Sequence, residues 1–265
     1  AEQSDPNLLR MVSRLGGKVL EAVTPDMFED GPPPGQWRRE QAADEGRLFT
    51  DILVPVSGDE MSWQAFDLAQ MLAQKEGGRL LGLHIVHSEE DKGGPQARAV
   101  QAEFERRCQA AGICGGCAIE VGEVARKIVE RSRWADLVVV SLAHPPGPQP
   151  VERLRSGLRT LIQRSPRPVL AVPGAALSLE RALLAYDGSS KATEAMYVAT
   201  YLAARWNAAL TVLTSVEGGR ALGDAQPRAQ SYLQGHGVRA EFVVGSGSPA
   251  EAILSLAQEH HCDLV

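Results

Sequence analysis

Two stretches of this chain end a buried apolar run in a turn that carries a polar side chain. Residues 181–190 read RALLAYDGSS and residues 50–60 read TDILVPVSGDE, with Ser57 at the place that Asp187 holds in the other stretch. Side chains that follow the carboxyl end of a strand in an α/β sheet face the crevice where ligands bind. We therefore expect the binding chemistry of this chain to be concentrated around Asp187.

A second group of reactive side chains is Cys114-Gly-Gly-Cys117, with Cys108 nearby. Two cysteines at this spacing can exchange disulfides or supply two zinc ligands, and Cys108 could add a third thiolate. The pair lies between a predicted helix and a predicted strand, not at the strand-to-helix turn that lowers the pKa of a redox cysteine. No second pair completes a zinc site, so we interpret these cysteines as structural.

The histidines and acidic residues form no recognisable catalytic pattern. His260, His261 and Cys262 are consecutive, so their side chains diverge. His84 lies within an apolar strand, where we expect a hydrogen-bonded core or crevice residue and not a catalytic base. No nucleophile elbow, Ser/His/Asp order or pair of carboxylates stands out. The sequence thus predicts no catalytic residue and no metal ligand.

Apolar runs and helical patterns alternate from residue 48 onward. Strands are predicted at 51–56, 80–86, 117–121, 136–141 and 169–172, with helices at 63–72, 97–110, 124–132 and 154–164. The order then repeats, with strands at 182–186, 210–216 and 240–244, helices at 193–204, 225–233 and 249–258, and a fourth strand opening at 262. Such alternation predicts parallel sheets covered by helices. Ser57 precedes Asp136 by 79 positions and Asp187 precedes Asp263 by 76, which indicates one unit present twice.

Size and composition set the remaining limits. The 265 residues allow about two domains, and we place an amino-terminal helix and linker at 1–47, a first domain at 48–175 and a second at 179–265. A net charge of −6 argues against nucleic acid as the main partner. No apolar run reaches the ~20 residues of a membrane span, and four cysteines are too few for a disulfide scaffold, so a cytoplasmic location is expected.

Several segments resemble the universal stress protein family in its tandem form. ILVPVSG and LLAYDGSS match the first strand of the family, GSGSPAEAILSLAQEHHCDLV the segment from the third strand to the fourth, and SPRPVLAVP the last strand. The likeness covers residues 48 to 265. It implies an α/β fold of two tandem doubly wound parallel-sheet domains, adenine nucleotide alpha hydrolase-like, with five strands in each domain. It also implies a non-catalytic regulatory or stress-response module that binds ATP or AMP.

The resemblance implies a nucleotide site in the second domain. In the ATP-binding branch an aspartate after the first strand contacts the nucleotide, and a glycine-rich signature, G-x2-G-x9-G-[ST], holds the phosphates after the fourth. In the first domain Ser57 replaces the aspartate, side chains and prolines replace the first two glycines, and Ser156 alone survives of the last pair, so we expect no binding of ATP in the family manner. The cofactor-binding residues implied are Ala185, Asp187, Gly188, Ser189, Ser215, Val216 and Gly245 in the second domain, with Ser57 and Ser156 as the remnants in the first.

The second copy ends at Val265, inside the fourth strand and before the expected phosphate loop. We therefore expect the natural polypeptide to continue, and the sequence as given to bind nucleotide weakly. In the family the last strand pairs two domains, which implies an internal pseudo-dimer or a homodimer.

One alternative is the cytosolic regulatory domain of a membrane transporter of the amino-acid permease or cation antiporter type. The missing initiator methionine, the amino-terminal helix and the proline-rich linker favour that hypothesis. A third alternative, a weak ATPase, requires the phosphate loop that the sequence does not contain.

Overall fold

The computed structural model describes residues 46–142, 157–174, 178–216 and 224–265. Contacts between Cα atoms divide the chain into two compact units, Ala1–Ala175 and Ala176–Val265, which we call unit 1 and unit 2. The predicted amino-terminal helix and Ser156 lie outside the described residues.

Strands and helices alternate along unit 1. They are β1 (Asp51–Pro55), α1 (Glu60–Glu76), β2 (Arg79–Val86), α2 (Glu89–Lys92), α3 (Pro95–Ala110), β3 (Gly115–Val121), α4 (Val124–Ser132), β4 (Leu137–Ser141), α5 (Gly157–Arg164) and β5 (Val169–Val172). All pairings are parallel, and the strand order is β3-β2-β1-β4-β5. The order reverses between β1 and β4, and a doubly wound sheet opens its ligand crevice at such a reversal.

Apolar side chains cover both faces of the unit 1 sheet, as expected for buried parallel strands. On one face the strands pack against α4 and α5 through Leu53, Leu83, Val138, Ile128 and Leu161. Elsewhere in the unit the rings of Phe66 and Phe104 meet edge to face, 5.0 Å between centroids, and both are fully buried.

Unit 2 repeats this order over its shorter described length. Its elements are β6 (Arg181–Ala185), α6 (Ser190–Trp206), β7 (Ala209–Val216), α7 (Ala225–Gly235), β8 (Ala240–Ser246) and α8 (Pro249–Glu259). The three strands are parallel in the order β6-β7-β8. Leu264 forms a parallel bridge with Ala182 on the other side of β6. β6 therefore has counterparts of both neighbours of β1, and the strand order reverses at β6.

The two units share details that lie far apart in sequence. The backbone N–H of Asp136 donates to Asp51, and its Oδ2 accepts from that residue's N–H at 3.1 Å. Asp263 does the same for Arg181, with its N–H 3.0 Å from the Arg181 carbonyl and its Oδ1 3.0 Å from the Arg181 N–H. Each aspartate thus fastens the start of the fourth strand to the start of the first, which explains the matched spacing.

The first helix of each unit also ends in the same way. Gly77 closes α1 at φ 57°, and Asn207 closes α6 at φ 57°. This left-handed region favours glycine and, next, asparagine.

The structure confirms the α/β class and the order of elements, and it corrects two details. The third strand of unit 1 begins at Gly115, two residues before the prediction, because Gly115 and Gly116 pair with Leu80 and Leu81. A short helix, α2, which was not predicted, forms where Ser88 caps an acidic first turn. Within its described residues unit 2 has three strands and the bridge at Leu264, as expected for a copy that ends inside its fourth strand.

Candidate functional site

The candidate site of unit 2 is the turn that joins β6 to α6. Ala185, the last residue of β6, is exposed, and so is Asp187. The backbone N–H of Ser189 donates to Asp187 Oδ1 at 2.8 Å, and Ser189 Oγ accepts from Ala192 N–H at 3.2 Å as the cap of α6. Gly188 has φ 80°, a conformation that suits glycine. The turn therefore holds a carboxylate at the carboxyl edge of the sheet.

The Asp187 carboxylate is ionised at neutral pH. Hydrogen bonds from the Ser189 hydroxyl and from the Ser189 backbone N–H lower the pKa of Asp187 below its usual value. The carboxylate still has acceptor capacity, because the N–H and the hydroxyl of Ser189 occupy only part of its four lone-pair positions. It can therefore accept hydrogen bonds from the hydroxyl or amino groups of a ligand.

The other predicted residues of the site lie at the ends of the two neighbouring strands. Ser215 and Val216 end β7 and pair with Gly245 and Ser246 of β8. A Cβ at Gly245 would lie 2.9 Å from a Leu213 methyl group, so glycine at this position allows Leu213 to pack closely against the backbone of β8. The structure thus brings Ala185, Asp187, Gly188 and Ser189 together in one turn, and it places Ser215, Val216 and Gly245 along the same edge of the sheet.

The matching turn of unit 1 has no carboxylate at the position of Asp187. Ser57 Oγ donates to Asp59 Oδ2 at 2.6 Å, and Asp59 Oδ1 accepts from the backbone N–H of Ser62 at 2.7 Å as the cap of α1. A Cβ at Gly58 would lie 2.7 Å from Val100 Cγ2, so an apolar side chain of α3 covers this turn. The exposed anion of unit 2 therefore has a hydrogen-bonded hydroxyl as its counterpart in unit 1.

Two residues beside the unit 2 turn were not identified from the sequence. Arg228, on α7, donates from Nη2 to the Gly188 carbonyl at 3.2 Å. Thr214, on β7, is only 2% exposed, and its Oγ1 has no hydrogen-bond partner among the described residues. The sequence predicts that Arg228 lies on a helix and Thr214 on a strand. The contact of Arg228 with Gly188 and the burial of Thr214 depend on the tertiary fold.

Thr214 differs from the residue at the same strand position in unit 1, His84. The Val56 N–H donates to Leu83 in unit 1, and the Tyr186 N–H donates to Leu213 in unit 2, so His84 and Thr214 occupy the same strand position. His84 is buried, and its Nδ1 lies 2.8 Å from the Val56 carbonyl oxygen, which confirms the predicted hydrogen-bonded core histidine.

Two of the three cysteines of unit 1, Cys108 and Cys117, are buried. Burial raises the pKa of Cys108 to about 11 and that of Cys117 to about 12, while Cys114 is exposed. All three thiols are free. Among the described residues no group of three histidine, cysteine or acidic side chains is arranged to hold a metal ion.

Comparison with known proteins decides the family. The model of the universal stress protein family matches residues 49–173 and again residues 179–265. The chain belongs to this family. The two matches confirm the tandem form that the sequence predicts. No curated protein sequence matches the chain closely enough to count as a relative.

Two solved structures, one of them of a universal stress protein, share the fold over about four-fifths of this chain. A crystal structure from Archaeoglobus fulgidus DSM 4304 matches at TM-score 0.70 and 20% identity, over 82% of this chain and 84% of that one. A protein of unknown function from Pseudomonas aeruginosa PAO1 matches at TM-score 0.59 and 17% identity, over 81% and 79%. A universal stress protein solved in complex with cAMP matches at TM-score 0.42 and 25% identity, over 47% of this chain and 97% of that one.

None of the helices in the described parts of the chain combines the length and the apolar composition that a lipid bilayer requires.

Proposed function

We propose that unit 2 binds an adenine nucleotide, ATP or AMP, at the carboxyl edge of β6, and that the chain acts as a non-catalytic regulatory module of the universal stress protein type. Two findings support this. The chain belongs to a family whose fold is that of doubly wound nucleotide-binding domains. The turn after β6 lies at the reversal of strand order, where such sheets bind ligands.

The observation that carries the proposal is the exposed, ionised carboxylate of Asp187 at this reversal. Its own turn supplies two hydrogen bonds to the carboxylate, from the Ser189 N–H at 2.8 Å and from the Ser189 hydroxyl, and these leave lone pairs for a ligand. The ribose of a nucleotide offers hydroxyl donors and adenine offers an amino group, and a carboxylate is the strongest acceptor for either. We therefore assign to Asp187 the contact with the nucleoside part of the ligand.

The serine hydroxyls of the two turns are already engaged in hydrogen bonds within the turns. The Ser189 hydroxyl contacts Asp187 and accepts the Ala192 N–H, so it is engaged in holding the turn. In unit 1 the Ser57 hydroxyl is engaged with Asp59. The proposal is therefore one nucleotide for each chain, bound in unit 2, with unit 1 as a partner domain of the same fold.

Isothermal titration calorimetry of the full chain with ATP and with AMP tests this proposal. Asp187→Asn is the informative variant, because the Asn side chain can still accept the Ser189 N–H and keep the turn. A hydrogen bond to a charged group contributes about 1.5–3 kcal/mol, so we expect affinity to fall roughly 10- to 100-fold.

The matched control is Asp67→Asn, which removes the same charge from α1 of unit 1, where the side chain is 56% exposed. This variant is expected to bind as the unmodified chain does. Equal affinities of Asp187→Asn and the unmodified chain, or two nucleotides bound for each chain, would contradict the proposal.

A further inference from the structure

We propose that hydrogen peroxide joins Cys114 and Cys108 of unit 1 in a disulfide, which fastens the end of α3 to the start of β3. The inference goes beyond the proposed nucleotide site and does not depend on it. Cys114 is exposed, Cys108 is 2% exposed, and both thiols are free. The sequence Cys114-Gly-Gly-Cys117 points to Cys117 as the partner of Cys114, but the structure brings Cys108 to that position instead.

An extended backbone separates Cys114 from Cys117. Gly115–Val121 is strand β3, and the Cys114 carbonyl already accepts the Leu80 N–H at 3.0 Å in the same ladder. Three residues of a strand span about 10 Å, whereas the Cα atoms of a disulfide lie at most ~7 Å apart. A disulfide between Cys114 and Cys117 would therefore require the start of β3 to leave the sheet.

The turn that ends α3 brings Cys108 against the backbone next to Cys114. The Ile113 N–H donates to the Cys108 carbonyl at 2.9 Å, and Gly112 closes the turn with φ 67°. A Cβ at Gly115 would lie 2.6 Å from Cys108 Sγ and 3.4 Å from Cys108 Cβ. The Cβ atoms of a disulfide are about 3.5–4.5 Å apart. The Cys108 sulfur thus lies over the residue that is bonded to Cys114, at about the reach of a disulfide.

The thiols also interact through their charges. Burial raises the pKa of Cys108 to about 11, and the negative charge of the Cys114 thiolate adds to the rise. Burial raises the pKa of Cys117 to about 12, and the charges of Glu105 and Cys108 add to that rise. Cys108 is therefore the buried thiol that interacts with Cys114, the thiol that solvent reaches.

Unit 2 forms the same turn with no cysteine at these positions. The Val238 N–H donates to the Leu233 carbonyl at 2.9 Å, and the glycine before Val238 has φ 69°. Leu233 therefore stands at the position of Cys108. The exposed Arg239 likewise stands at the position of Cys114. Because the turn forms without either thiol, a role in folding does not account for a thiol at the exposed position.

The reaction consumes one peroxide and both thiols. The Cys114 thiolate attacks one oxygen of hydrogen peroxide, the O–O bond breaks, and the hydroxide that leaves takes up the proton released by this thiol. Cys114 is then a sulfenic acid. Cys108 loses its proton, its sulfur attacks the Cys114 sulfur, the S–O bond breaks, and hydroxide leaves as a second water. The two sulfurs together lose two electrons, and the peroxide is reduced to two waters.

Peptide mapping by mass spectrometry, after the full chain is treated with a small excess of hydrogen peroxide, tests the inference. The expected product is a Cys108–Cys114 disulfide within one chain, which dithiothreitol reverses. Cys108→Ala should abolish the disulfide and leave a sulfenic acid at Cys114 that dimedone traps. Cys114→Ser, a change at the surface, should abolish both the disulfide and the dimedone adduct.

The matched control is Cys117→Ala, which removes the other buried thiol and should form the disulfide as the unmodified chain does. Circular dichroism of each variant checks that the fold is retained. A disulfide between Cys114 and Cys117, a disulfide between two chains, or a chain in which Cys108 stays reduced would refute the inference. An equal yield of disulfide in Cys108→Ala would refute it as well. None of these outcomes bears on nucleotide binding in unit 2.

Discussion

Replacing Thr214 by valine should stabilise unit 2, although most substitutions of buried residues destabilise a protein. Thr214 is 2% exposed on β7, and its Oγ1 has no hydrogen-bond partner in the described structure. Valine has the same branched shape, with a methyl group in place of the hydroxyl. The substitution therefore removes an unsatisfied polar group without creating a cavity.

The size of the effect follows from the cost of the unpaired hydroxyl. An unsatisfied buried polar group costs about 1–3 kcal/mol. We expect the lower end, a gain of about 1 kcal/mol in the free energy of unfolding, because a small displacement at the end of β7 can admit water. With a urea m-value of about 1–2 kcal/mol/M, the midpoint should rise by roughly 0.5–1 M.

Urea unfolding followed by circular dichroism measures this shift, which should occur at constant m-value. The control is Thr200→Val on α6, a fully buried threonine whose Oγ1 donates to the Met196 carbonyl at 2.6 Å. Losing that satisfied bond should lower stability by about 1 kcal/mol, the opposite sign. A fall of the midpoint in Thr214→Val would refute the reasoning that its hydroxyl is unpaired.

Three further predictions concern the turns, the linkage to pH and the thiols. Gly58→Ala should destabilise unit 1 by about 3 kcal/mol in thermal or urea unfolding, and Gly188→Ala should cost unit 2 about 1 kcal/mol. Both glycines have a positive φ. A Cβ at Gly58 would lie 2.7 Å from a branched apolar side chain, whereas a Cβ at Gly188 would lie 2.7 Å from the end of a flexible side chain, which can move aside. Burial raises the pKa of Asp263, but the hydrogen bonds that its carboxylate accepts lower this pKa more. The contribution of Asp263 to the stability of unit 2 should therefore be constant above about pH 5 and be lost as the pH falls below about 4. Asp263→Asn should remove this part of the dependence of stability on pH. Iodoacetamide followed by mass spectrometry should modify exposed Cys114 well before Cys117, whose pKa burial raises to about 12, and equal rates would contradict the described burial.

Much of the fold could be predicted because its signals are local. The helix at 124–132 and the strand at 169–172 coincide with the observed α4 and β5. Apolar runs, helical periodicity and the glycine that ends α1 act within a few residues, so the sequence displays them directly. The spacing of Asp136 and Asp263 was also informative, because both aspartates make the same backbone contacts to the first strand of their unit.

The details that escaped prediction depend on partners distant in sequence. β3 begins at Gly115 because that backbone pairs with Leu80, although glycine carries no strand signal of its own. Asp187 was identified because it follows an apolar run. Arg228 reaches the same turn from α7, and only the folded chain brings the two together. Contacts of this kind have no signature in residue spacing.

Hydrogen exchange measured by mass spectrometry, with and without a saturating adenine nucleotide, tests the central claim most directly, because it locates binding within the full chain. The account predicts slower exchange at the amides around Asp187 and at the carboxyl end of β7, with no change around Ser57. Protection at the Ser57 turn would contradict it, as would nucleotide binding that leaves exchange around Asp187 unchanged.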